Sequence, residues 1–506
     1  MPARRLLSDD VECRHRGPVD INLTFAAVHP WHAVPRDDLL MSRAAIHAEP
    51  FVHLVDLAHD RVLIAWGAFF FERTPQGRWE IVDDEALARE VGRHTCIGSS
   101  AEPFGSATVQ VLSADGDVVA QASTDEHAWV WVEGLQPDTD YHYRVVVDGR
   151  EWASEELWDW VPVARGGYDL APSGRRYDLR FRTWPHPDAS TQSLRFVAMG
   201  DYGVGMRSDA ESSRRQRRIA EVLERLVSDH DVRFVLSLGD NIYQGEQGRV
   251  DQEGGGEDDD WYSSFFQPYR LAIARVPVLP AIGNHDSTDS EGSDDRAQME
   301  DNFHIKERFH HGLETASVMP GLFYRMRYGA DLELVCLDTS LDSEEDQIHR
   351  YFQAPNHREW LRRTFSEPVG RWVIPFSHHP VYTAGPNHEN DEEMRQAFEP
   401  LFDATDVRLV LAGHEHNFQV SHVNDRSYVV SGASGQLDER VPHRFAEAHT
   451  TAWAAQAHVL LIELDQAEAR ITPISGLMQD GGLHPMTALT PENDLVEPPI
   501  VIRRAP

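Results

Sequence analysis

Between residues 51 and 183 hydrophobic and polar positions alternate in short runs. Residues 62–66, 107–112, 128–132, 141–147 and 179–182 are rich in Val, Trp and Tyr, with Gly, Asp and Pro turns between them. That grammar predicts an all-β sandwich. Leu135, Pro137, Thr139 and Tyr141 recur at two-residue spacing, a series that turns a corner into a strand. Tyr141 is placed to tie that corner through its hydroxyl. After a Pro/Ser/Thr linker at 185–193 the pattern changes. Residues 195–200, 233–239, 276–283, 333–338, 371–377 and 407–413 are near-continuous apolar runs. Such runs predict strands buried on both faces.

Helical periodicity separates these runs. Ser208 and Glu211 predict a capping box, followed by a stripe of Ile219, Val222, Leu223, Leu226 and Val227. A second stripe after Asp391 holds Met394, Ala397, Phe398, Leu401 and Phe402. The fold class expected is α/β, with an all-β sandwich at 49–185 followed by a layered domain at 194–475. An extension occupies 1–48, and a tail at 476–506 is expected to wrap the surface.

Composition narrows the class. The 506 residues carry 83 Asp and Glu against 47 Lys and Arg, a formal net charge of -36. Such a chain repels phosphate backbones and anionic lipid, so a basic nucleic-acid or membrane face is not expected. Cys13, Cys96 and Cys336 are too few and too far apart for a disulfide framework. The first residues lack the apolar stretch of an export signal, which predicts a cytoplasmic protein. No apolar run approaches the roughly 20 residues of a membrane span.

The chemistry lies where the apolar runs end. Asp201 follows the first, Asp240 and Tyr243 the second, and Asn284, His285 and Asp286 the third. His378 and His379 follow the run at 371–377, and His414 and His416 the one at 407–413. Sites in open α/β layers form beyond the carboxyl ends of strands, so all five clusters are expected at one sheet edge. A carboxylate between two cations bridges them. Imidazoles suit borderline divalent ions, and carboxylates or phenolates suit a harder one. His414 and His416, two residues apart on an extended segment, point in opposed directions, each towards a different metal. Gly200, Gly239, Gly283 and Gly413 are expected to permit the sharp turns. Each motif is weak alone; five in order, each at a strand end, are not.

The series GDYG, GDNIY, GNHD, HHP and GHEH resembles the purple acid phosphatases, within the calcineurin-like metallophosphoesterase superfamily. Tyr243, three residues after Asp240, is the discriminating feature. The resemblance covers about 194–471 and implies two packed β-sheets flanked by helices there; the preceding sandwich is similar to a fibronectin type III domain. It implies two metal ions: Fe(III) held by Asp201, Tyr243 and His416, and a divalent Fe, Zn or Mn held by Asn284, His378 and His414. Asp240 would bridge them. His378, two residues before the proline, is the implied ligand rather than His379. His285 and His388 match histidines that contact the phosphate or the leaving group. The family often has two histidines near the second of these, and here only His388 is present.

The function implied is hydrolysis of small phosphate monoesters by a metal-bound hydroxide. Two alternatives stay open: a phosphodiesterase of the same superfamily using Mn, Zn or Fe(II), and a phosphate- or glycan-binding protein with a vestigial metal site. The sandwich is expected to carry no catalytic residue, and Asp286 to matter less than Asp240. The acidic stretches 244–260 and 287–296 are expected at the rim of the site, biasing it towards weakly charged esters. The sequence leaves oligomeric state open.

Overall fold

The computed structural model describes residues 46–82, 87–164, 166–207, 210–243, 261–287, 295–309, 317–318, 321–344, 347–476 and 482–504. The extension before Ile46, Ser208, and the acidic stretches at 244–260 and 288–294 lie outside the described residues.

The N-terminal region is built of strands. Ile46–Leu57, Arg61–Arg73 and Trp79–Ile81 form one sheet, with Trp129–Glu133 paired to Arg61–Arg73. Arg180–Arg182, Asp140–Val147, Ala107–Leu112 and Val118–Thr124 form another, in that order. Alternation along Asp140–Val147 buries Tyr141, Tyr143, Val145 and Val147 and leaves the positions between them more open. The corner forms as its sequence predicts: the Gln136 N–H donates to the Tyr141 hydroxyl at 3.0 Å. This all-β region is consistent with a fibronectin-like domain.

The rest contains two β-sheets. In the first, Leu194–Met199, Val232–Ser237 and Val278–Pro280 are parallel neighbours. His458–Leu464, Glu468–Ser475 and Ile500–Arg503 extend it antiparallel. In the second, Leu332–Cys336, Trp372–Ser377, Leu409–Ala412 and Arg426–Ser431 run parallel at the centre of a longer array. The sheets meet through Tyr324, whose hydroxyl donates to the Pro280 carbonyl at 2.8 Å, and through Ser431 Oγ and His458 Nε2, 3.0 Å apart.

Two expectations change here. The two packed sheets form as expected, but the candidate ligands do not share one sheet edge: their strands divide between the two, because apolar runs show that strands are buried but not which strands pair. Ser208 of the expected capping box lies outside the described residues, and the helix Glu211–Asp229 has Ala210 at its N-cap with no side-chain cap. Its stripe is nonetheless buried, as are Met394, Phe398 and Phe402 of Glu392–Ala404, which Asp391 caps by accepting the Met394 N–H at 2.9 Å. The tail does not merely wrap the surface. Ile500–Arg503 pairs with Glu468–Ser475 in the first sheet, and Ala488–Leu489 pairs with Thr450–Ala454 in the second.

The sandwich and the layered region form one compact unit. Phe266 of the layered region packs on Phe51 and Phe69 of the sandwich, with ring centroids 4.4 and 5.5 Å apart. Beside them Glu49 pairs with buried Arg270 and accepts the Tyr262 hydroxyl proton at 2.7 Å. The Tyr143 hydroxyl donates to the Ala274 carbonyl at 2.5 Å. The sandwich is therefore a built-in buttress for the helical segment 261–273.

Candidate metal centre

Parallel neighbours end on the same side, so Asp201, Asp240, Tyr243, Asn284 and His285 emerge together from the first sheet. His378, His414 and His416 emerge together from the second. Facing loops close the two halves into one cluster. Asp201, Asp240 and His416 place one donor atom each within 4.8 Å of one another. The Tyr243 hydroxyl joins them, 3.2 Å from Asp201 Oδ1 and 3.3 Å from His416 Nε2. In a second group His378 Nε2 lies 2.9 Å from Asn284 Oδ1 and 3.1 Å from His414 Nδ1. Asp240 Oδ1 reaches that group too, 3.3 Å from His378 Nε2. Donors about 2.0–2.2 Å from a cation stand roughly 3–3.5 Å from each other, so these spacings fit metal coordination.

His414 and His416 fall in different groups, but through a turn rather than an extended segment: His414 has φ of 69°, whereas extended backbone would put both on one side. His378 Nδ1 lies 2.9 Å from the Leu238 carbonyl, which fixes the proton there and leaves Nε2 as the free donor. His379, next to His378 and outside the expected set, also comes within reach of His378 and His414. Its Nδ1 pairs with Thr339 Oγ1 at 2.9 Å. The doublet in SHHP is visible in the sequence, but only packing shows that both rings face the cluster.

The electrostatics fit cations. Burial, reinforced for Asp240 by the charges of Asp201 and Asp286, pushes the carboxyls of Asp201 and Asp240 well above the usual range. Two such carboxylates side by side are unfavourable until a cation sits between them. Burial also holds His378, His414 and His416 below the usual histidine range, so their imidazoles are neutral, the form that binds metal. The donor sets differ in hardness: carboxylate, phenol and one imidazole in the first, amide oxygen and two imidazoles in the second.

The glycines act differently from expectation. Of the four, only Gly239 has positive φ, at 88°. The left-handed conformations fall on candidate ligands themselves: Asp201 at 58°, Asp240 at 50° and His414 at 69°. Each costs about 1–3 kcal/mol and persists only where surrounding packing imposes it. Gly283 and Gly413 provide space. A Cβ on Gly283 would stand 2.1 Å from Asp240 Oδ1, and one on Gly413 would stand 2.7 Å from Asp201 Oδ2.

Around the donors, the His285 N–H donates to Asp240 Oδ1 at 3.0 Å, and its ring lies 4.4 Å from that of Tyr243. His388 stacks on His414, centroids 3.8 Å apart. The two histidines therefore flank opposite donor groups. Asp286 is more than a bystander. It accepts the N–H groups of Asn241 (2.9 Å), Ile242 (3.2 Å) and Gly283 (2.8 Å), bracing both turns that carry Asp240 and Asn284. Its position after His285 hid that role, because the bonds to Asn241 and Ile242 span 45 and 44 positions.

Residues 194–418 match the family described as calcineurin-like phosphoesterase. They form a calcineurin-like metallophosphoesterase domain. The chain is 26% identical over 312 residues to the human (Homo sapiens) tartrate-resistant acid phosphatase type 5, covering 57% of this chain and 89% of that one. Two solved structures share the fold. One is PhoD, TM-score 0.57 and 11% identity over 88% of this chain and 91% of that one. The other is a purple acid phosphatase from yellow lupin (Lupinus luteus) seeds, TM-score 0.53 and 14% identity over 88% and 74%. The metallophosphoesterase domain thus has purple acid phosphatase homologues, which are hydrolases of phosphoric esters. Homology and donor groups together support phosphoester hydrolysis at a metal site. Among the described residues, no helix is long and apolar enough to cross a membrane.

Proposed function

We propose that the protein is a dinuclear phosphomonoesterase acting on small phosphate esters. The observation that carries this is the shared position of Asp240. It belongs to the group of Asp201, Tyr243 and His416, and its Oδ1 also stands 3.3 Å from His378 Nε2 in the group of Asn284 and His414. The harder first group would hold Fe(III), and the second a divalent Fe, Zn or Mn ion. When bound, the pair supplies charge neutralisation for the phosphate and an acidified water as nucleophile. Asp201 accepts the His414 N–H at 2.9 Å, so the first group also orients the backbone of the second. His285 and His388, half-buried on either side, would contact the phosphate and hand a proton to the leaving alkoxide.

The test is metal analysis of the purified protein with a visible spectrum and turnover of an aryl phosphate. A phenolate on Fe(III) absorbs visible light, so the oxidised protein is expected to be coloured and Tyr243→Phe to lose that colour. A colourless, fully active protein containing only Mn or Zn would refute the Fe(III) assignment. A protein with full metal content and no turnover of monoesters would refute the phosphomonoesterase reading.

A further inference from the structure

Glu415 lies between His414 and His416, belongs to neither donor group, and is fully buried. A buried carboxylate needs hydrogen-bond donors to be tolerated. Glu415 finds them on the loop that carries His388. Its Oε1 accepts the backbone N–H of Asn387 at 3.3 Å and the side-chain amide at 3.2 Å. Its Oε2 accepts the His388 N–H at 2.9 Å.

The next residues repeat the pattern. Asn417 Nδ2 and Gln419 Nε2 both donate to the Gly385 carbonyl, at 3.0 and 2.8 Å, and Gln419 Oε1 accepts the Ala384 N–H at 2.7 Å. Residues 414 and 416 serve the metal groups, whereas 415, 417 and 419 hold the loop at 384–388. One short segment therefore brings His414 and His416 to the donor groups while the residues between and after them clamp the His388 loop. Arg444 secures that loop from the far side, donating to the His388 carbonyl at 3.0 Å.

The geometry points to Glu415 as a positioning residue that fixes His388 over His414, so that the turn binding the divalent ion also sets the histidine facing the substrate. The assignment rests on the reading of His388 as a substrate contact. It makes the third residue of GHEH part of the catalytic layout without touching metal or substrate.

The test is a double-mutant cycle on the full-length, metal-loaded protein with p-nitrophenyl phosphate. Glu415→Gln keeps the shape but turns one oxygen into an NH2 group, which then faces N–H donors. A misplacement of about 1 Å costs up to about 100-fold in rate. Glu415→Gln is therefore expected to lower kcat about 10- to 100-fold with full metal content retained. In a His388→Ala background the same change is expected to cost less than about two-fold, because coupled residues are non-additive. Glu415→Asp keeps both acceptors but falls short by one methylene. It is expected to be intermediate and carries the same cycle if the Gln variant does not fold. Losses that multiply in the double variant, a wild-type kcat for Glu415→Gln, or metal lost from that variant would overturn the proposal. A wild-type rate for His388→Ala would instead refute the role of His388 itself.

Discussion

Gly283→Ala perturbs the centre without touching any donor atom. Gly283 does not have positive φ, so alanine meets no backbone obstacle there. The obstacle is space. The added Cβ would stand 2.1 Å from Asp240 Oδ1 and 2.3 Å from Asp240 N, whereas ordinary contact begins at 3.4 Å. Asp240 or the turn at 281–284 must retreat by the difference, about 1.3 Å. The Asp240 nitrogen is backbone and cannot swing aside as a side-chain tip would. Overpacking of this kind costs about 1–3 kcal/mol of stability. A displacement of about 1 Å at a reacting centre costs about 100-fold in rate. Metal content by elemental analysis, turnover of an aryl phosphate and a thermal melt measure the three effects. The expected result is reduced metal content and a rate down by about two orders of magnitude. Gly149→Ala is the control. It has φ of 76° and open space around it, so it is expected to lose about 1 kcal/mol from backbone strain and nothing from metal content or rate. A Gly283→Ala protein with full metal content and near-normal rate would show that the Asp240 position is not fixed as described.

Asp240→Asn removes the charge shared by both donor groups and is expected to lower metal content and nearly abolish turnover, while leaving the fold intact by circular dichroism. Asp286→Asn is expected to lower the melting temperature and reduce activity in proportion to lost metal, because it loosens two turns rather than one ligand. Burial holds His304 well below the histidine range, at about 3. The unfolded chain, titrating near 6.5, then binds more protons than the folded one between these values. Stability from keeping His304 neutral is thus complete above pH 6.5 and is lost as pH falls, by about 1.4 kcal/mol per unit. Since His304 has φ of 52°, Asn is the substitution that tolerates its backbone. His304→Asn is expected to flatten the fall in melting temperature between pH 6.5 and 5, and an unchanged slope would assign acid sensitivity elsewhere.

What the chain determines by itself is local. Alternation over 51–183 specifies a β region because a half-buried strand needs it, and the Tyr141 corner forms from residues within one turn. Buried strands, the stripes at 219–227 and 394–402, and candidate ligand residues at strand ends are all legible, because side-chain type reports burial and metal preference directly. What the chain leaves open is every relation between distant segments. The division of ligand strands between two sheets and the pairing of the tail to both depend on partners far away in sequence. So do the bracing by Asp286 and the clamp from Glu415 to His388. The glycines show the difference most plainly. Their presence before the ligands is written in the sequence, yet Gly283 is required by the carboxylate of Asp240 packed against it, a neighbour that only the folded chain supplies.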